Sequence, residues 1–115
     1  MSAELRIARG SLHVGRALID RHFAGLQTVV LLRDDEDLVV VPMRDADAGG
    51  LLLKVRNAAG DRVVDAADFL RGQGIADDLD LRPGWTWDSE RAALVVPRIF
   101  PAVRKAAGRS LRVIT

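Results

Sequence analysis

The chain has no cysteine, few aromatic residues (4 %) and no apolar run near the roughly 18 to 20 residues that cross a bilayer. Without cysteine there is no disulfide framework, no thiolate nucleophile and no cysteine-ligated zinc or iron–sulfur centre. The N-terminus, MSAELRIARG, lacks a long apolar h-region, so a cytoplasmic protein with no membrane partner is expected. Acidic residues are missing from one region only. Residues 98 to 115 carry Arg98, Arg104, Lys105, Arg109 and Arg112 and no acid, whereas residues 1 to 97 hold twelve basic and sixteen acidic side chains. The tail is therefore basic, suited to phosphate or to an acidic partner, or simply to keeping a terminus solvated.

What is present is aliphatic. Half of the 115 residues are apolar, chiefly valine, leucine and alanine, enough for one compact core and short for two. Such a core favours strands with short helices. Runs LRIA (5 to 8) and SLHV (11 to 14) flank the turn signal Arg9-Gly10, and RALIDRHFAGL places Ile19, Phe23 and Leu26 on one helical face with Arg16 and Asp20 away from it, Gly25 ending the helix. TVVLL (28 to 32) and LVVV (38 to 41) read as strands, and Pro42, which has no N–H for a ladder, stops the second or leaves it an edge. After the linker DADAGG the order recurs. LLLKV (51 to 55), the turn NAAGD and RVV (62 to 64) precede a helix capped by Asp65, carrying Ala66, Phe69 and Leu70 and closed by Gly72 and Gly74. WTW (85 to 87) and AALVV (92 to 96) then form a second hairpin.

Registering Gly10 on Gly60 places Val14 on Val64 and Ile19 on Phe69, and registering Pro42 on Pro97 places Val40 on Val95. An insertion around residues 75 to 83 reconciles the two registers. The chain thus reads as a single domain over 1–115, with repeat units 4–44 and 51–97 and a tail, 98–115. Two such units bury each other's apolar faces.

The acidic stretch RDDEDLVVVP (33 to 42) lacks the alternating ligands and central glycine of a calcium loop, so it reads as a hairpin turn and no metal is assigned to it. His13 and His22 have no HExxH spacing and read as structural or exposed, the glycines form neither GxGxxG nor a Walker motif, and Ser11, His13 and Asp20 make no convincing triad. No cofactor is expected and no catalytic residue is assigned. Trp85 and Trp87 share one face of a strand, in register with Val30 and Leu32 of the first unit. They either fill the seam between the halves or form a contact for a protein partner, with Arg82 and Arg91 nearby and Phe100 from the tail.

A strand, a glycine turn, a short β-branched strand, a short helix and a closing hairpin, as in GDRVVDAADFLRGQGI and more loosely GSLHVGRALIDRHFAGL, resemble the AbrB/SpoVT-like swapped-hairpin family. Two copies in one chain resemble the MraZ arrangement. The usual proline before the helix is replaced by Gly15 and Asp65, and related cradle-loop barrels share the pattern. The resemblance spans residues 4 to 97 and implies a mostly β (α+β) fold, a pseudo-twofold β-barrel of two β-β-α-β-β swapped-hairpin-like units with a basic C-terminal extension. It also implies a non-enzymatic, DNA-binding transcriptional regulator acting as an obligate dimer or pseudo-dimer. The matching cations are Arg6, Arg9 and Arg16 in the first unit and Lys54, Arg56 and Arg62 in the second, supplemented by Arg104 and Lys105 of the tail. Glu4, Asp61 and Asp65 lie among them. The alternative is an accessory or scaffold protein docking through Trp85, Trp87, Phe100 and the tail; the expected partners are DNA, such a protein, and a second copy of the chain.

Overall fold

A computed structural model describes residues 5–44 and 50–100. Arg104 and Lys105, with most of the tail, lie outside the described residues. The chain is mostly β, arranged as two antiparallel five-stranded sheets with two short helices. The strands are β1 (Leu5–Ala8), β2 (Ser11–Val14), β3 (Thr28–Asp34), β4 (Asp37–Met43), β5 (Leu51–Leu52), β6 (Lys54–Val55), β7 (Arg62–Asp65), β8 (Asp80–Leu81), β9 (Thr86–Asp88) and β10 (Ala93–Val96). The first sheet has the order β6-β7-β2-β1-β8 and the second β5-β3-β4-β10-β9. Each sheet therefore combines one hairpin from the first half of the chain with strands from the second.

Local chemistry explains the turns. Arg9 and Gly10 both have positive φ, 52° and 75°, as a two-residue hairpin turn of the primed type requires, so β1 and β2 pair directly from Leu5↔Val14 to Ala8↔Ser11. The acidic run makes the turn between β3 and β4: Asp34 pairs with Asp37 across the ladder, and Asp35 adopts φ 59°. Its carboxylates have structural partners, Asp34 an ion pair with Arg91 (2.9 Å) and Asp37 a hydrogen bond from the Arg98 backbone N–H (2.9 Å). Pro42 does not stop β4, which runs on to Met43. It is tolerated because the ladder with β10 ends at Val40, leaving that end of β4 paired with β3 alone.

The segment LLLKV is not one strand. It breaks at buried Leu53, with β5 pairing with β3 in one sheet and β6 pairing with β7 in the other, so five residues join the two layers. The first helix, α1, starts as Arg16–Leu18 and continues as a wider π turn, Ile19–Phe23, ending before Gly25 at φ 76°. The second, α2 (Ala67–Gly72), starts one residue later than expected: Ala66 is its N-cap residue and makes no side-chain cap bond, while the Asp65 carboxylate before it accepts the Ala67 N–H (3.3 Å).

Alternation along the strands directs Leu5, Ile7, Leu12, Val14 and Val64 inward from the first sheet and Val29, Leu31, Leu38, Val40, Leu94 and Val96 inward from the second. Leu18, Ile19, Phe23, Leu70 and Phe100 close the aliphatic core between them.

Each glycine turn rests on the helix of the other half. A Cβ on Gly10 would lie 2.8 Å from the Cβ of Ala67, and one on Gly60 would lie 2.7 Å from Cδ of Arg16. The Ala66 N–H donates to the Gly10 carbonyl (3.0 Å), and the Arg16 N–H donates to the Asp61 carboxylate (2.9 Å). Gly10→Val adds a side chain to a left-handed backbone pressed against a helix, so it is expected to cost about 2–4 kcal/mol in urea unfolding. Gly72→Ala, with nothing within 4 Å of the added Cβ, is expected to change stability little.

Candidate functional site

The outer face of the first sheet is where the predicted cations meet. Register runs Lys54↔Val63, Val63↔His13 and His13↔Arg6 across β6, β7, β2 and β1, which sets these four residues in one row on the side opposite the core. Arg9 extends from the β1–β2 turn, and Arg56 follows β6 where the backbone pairs it with Asp61 (2.8 Å). Arg82 follows β8, the short strand that pairs with β1. Two adjoining recesses open on this face: one of about 80 Å³ bordered by Arg6, His13, Arg56, Asp61 and Arg82, and one of about 260 Å³ bordered by Arg6, Arg9, Ser11, His13 and Arg56.

The cations differ in how firmly they are held. Arg6 grips Asp80 with two hydrogen bonds, Nε to Oδ1 at 2.9 Å and Nη2 to Oδ2 at 2.6 Å, and that bond and charge hold the Asp80 carboxyl below its ordinary range. Arg9, Arg56, Arg82 and Lys54 are exposed and form no side-chain hydrogen bond or ion pair among the described residues. Arg16 lies along α1, paired with Asp20 at 3.3 Å and reaching the Ala59 carbonyl at 3.4 Å. Arg62 faces the other way. It alternates with Val63, and its Nη1 donates to the Leu53 carbonyl (3.1 Å), supporting the bend between β5 and β6.

Of the acids noted among these cations, Glu4 lies outside the described residues, and Asp61 and Asp65 carry structural contacts. Asp65 serves α2, while Asp61 accepts hydrogen bonds from Asn57 (3.0 Å) and from the Arg16 backbone, which together hold its carboxyl low. Across the face, Arg6, Arg9, Lys54, Arg56 and Arg82 stand against Asp61, Asp65 and Asp80. The balance is positive although the body of the chain carries more acids than bases.

At the centre sits His13, in the pair His13↔Val63 flanked by Leu12↔Val64 and Val14↔Arg62. Its Nδ1 is buried without a hydrogen-bond partner among the described residues. Burial first, then Arg56 and Arg6, hold the imidazole below its ordinary value of 6.5, with Asp80 pulling the other way and Arg9 adding least. A neutral ring therefore occupies the middle of an arginine field.

The tryptophans are placed elsewhere. His22 of α1 stacks on Trp87, with centroids 4.2 Å apart and planes 10° from parallel, and meets Trp85 edge-on at 5.9 Å. Both indoles are half-buried and packed on the core, and Phe23 approaches Trp87 at 6.4 Å. Phe100 is 1 % exposed, under the Arg33 guanidinium at 5.1 Å, so its ring belongs to the core and offers no surface to a partner. Two functional placements were hidden in the sequence. Arg82, read beside the tryptophans, stands with Arg6 because β8 pairs with β1, and His13 joins the arginines through the β2–β7 ladder. A cross-strand reading of position 13 against position 6 within the first hairpin was the available signal.

Among the described residues no group of three His, Asp or Glu side chains is arranged to hold a metal ion, and no helix is long and apolar enough to cross a membrane. Compared with known proteins, the chain matches no family model, no curated protein and no solved structure.

Proposed function

We propose that this chain is a non-enzymatic DNA-binding regulator that grips duplex phosphates with the outer face of its first sheet. The observation that carries the reading is the convergence with Arg6, around one recessed face, of three exposed arginines, Arg9, Arg56 and Arg82, that have no side-chain hydrogen bond or ion pair among the described residues. An unpaired guanidinium presents a planar fork of donors that suits phosphate oxygens and guanine edges. The sources of the cations matter as much as their number. They come from the β1–β2 turn, the end of β6 and the segment after β8, three segments that the fold brings to one face.

The swapped-hairpin barrel with a pseudo-twofold belongs to the same proposal. The register that sets Val14 on Val64 carries the pair Leu12↔Val64 onto Val14↔Arg62, and the register that sets Val40 on Val95 carries Leu94↔Val40 onto Val95↔Val39. The reciprocal seating of Gly10 on α2 and Gly60 on α1 supports it further. Such symmetry relates Arg6 to Arg56, one cation of the face from each half. The regulatory part of the reading is drawn from the resemblance of residues 4 to 97 to the AbrB/SpoVT-like family, and the cationic face supports the DNA contact. The scaffold reading has less to draw on, since Phe100 is buried and the indoles are occupied by His22.

The test is fluorescence anisotropy of a labelled mixed-sequence duplex across a salt series. Affinity is expected to fall with a log–log slope of about four or more, because each phosphate contact contributes about 0.9. A duplex that stays unbound at low ionic strength would exclude the reading.

A further inference from the structure

We infer that His13 is a proton-linked contact to a backbone phosphate, so that the first sheet's outer face takes up a proton as it binds a duplex and binds more tightly as the pH falls. This rests on the DNA-binding reading above. The geometry is specific to His13. It lies in the central pair of the β2–β7 ladder, opposite Arg6, and borders both recesses, so an anion held by the arginines stands beside the imidazole.

The charged groups facing it are Arg6 from β1, Arg9 from the first turn, Arg56 and Asp61 from the β6–β7 connection, and Asp80 and Arg82 from β8 and the segment after it. Val63 of β7 contributes no charge, and Asp65 of β7 and Lys54 of β6 lie farther along the same face. In the free protein, burial and three arginines disfavour the imidazolium, and Nδ1 has no acceptor among the described residues. A phosphate in the recesses acts on the arginine field and on the part of the ring that borders them, not on the buried Nδ1. Its charge cancels the arginine field, and its oxygens accept hydrogen bonds from a protonated ring.

The sign follows directly. The complex holds the His13 proton more tightly than the free protein does, so between the two titration points one proton is taken from solvent on binding and affinity rises as pH falls. Above both points the dependence vanishes. His22 is stacked on Trp87 in another part of the molecule and is a common background in every comparison.

The experiment measures duplex anisotropy with the full chain from pH 8 to pH 5.5 at constant ionic strength, for the wild type and His13→Gln. It also follows the His13 imidazole by NMR, free, with duplex, and with inorganic phosphate alone. A one-unit rise on binding corresponds to about tenfold tighter wild-type binding at the acid end. His13→Gln is expected to be flat beyond the shared background, with an unchanged circular dichroism spectrum, and the duplex is expected to raise the His13 titration point. Equal pH slopes in wild type and variant, or a His13 titration point that the duplex leaves in place, would overturn the proton link while salt-sensitive binding left the DNA reading intact. Absence of duplex binding at every pH would overturn both. If inorganic phosphate raised the titration point as much as the duplex did, the ligand would be free phosphate and the backbone assignment would fall.

Discussion

Leu94→Ala is expected to lower the unfolding free energy by about 2–5 kcal/mol, a large part of the roughly 5–15 kcal/mol that holds a domain together. Leu94 is fully buried in β10, the strand that pairs with β4 from the first half of the chain on one side and with β9 on the other. Truncation removes apolar surface from the seam between the halves, and the cavity cannot collapse easily. Its surroundings include valines on paired strands, whose β-branching restricts their side-chain rotamers. Urea unfolding followed by Trp85 and Trp87 fluorescence measures the loss. Leu32→Ala provides the contrast. Leu32 lies in β3 of the same sheet, beyond β4, and is 49 % exposed, so its truncation is expected to stay within about 0.5 kcal/mol. Equal losses at the two positions would mean that the sheets do not pack through β10 as described.

The second large effect concerns binding. Replacing Arg9, Arg56 and Arg82 together by alanine is expected to weaken duplex affinity by two to three orders of magnitude near 0.1 M salt, since three contacts at about 0.9 each reduce the log–log slope by nearly three. Stability should hardly move. The three side chains are exposed and have no hydrogen bond or ion pair among the described residues whose loss would leave a charge behind. Arg62→Ala is the informative comparison because its guanidinium faces the Leu53 carbonyl. It is expected to loosen the bend between β5 and β6 and leave the salt slope unchanged.

Much of this architecture was legible in local sequence signals. Arg9-Gly10 between β-branched runs specified the first hairpin, and the acidic turn between TVVLL and LVVV specified the second, because a two-residue turn and alternating burial are local properties. What escaped depends on partners distant in the chain. β8 is two residues long and becomes a strand only through β1, more than seventy positions earlier, so DDLDLRPG reads as a turn by itself. The break at Leu53 is invisible in the uniformly apolar LLLKV because both pieces suit a strand and only the sheets distinguish them.

The same limit shaped the candidate site. Arg6, Arg9, Lys54 and Arg56 were recognisable as a cationic set, whereas the orientation of Arg62 depends on the pleat of β7 and that of Arg82 on β8. His13 was read by itself, as a strand residue without a ligand partner. Its setting comes from three strands at once. Likewise the Trp85/Trp87 pair was legible as a shared face, but its stacking on His22 depends on where the widened turn of α1 lies against β9.

The most direct measurement is the salt dependence of duplex anisotropy for the wild type beside the Arg9/Arg56/Arg82 triple alanine variant. The account predicts a wild-type log–log slope of about four or more, falling by nearly three in a variant that unfolds at the same urea concentration. Slopes that coincide, or a wild type that leaves the duplex unbound at low salt, would contradict it.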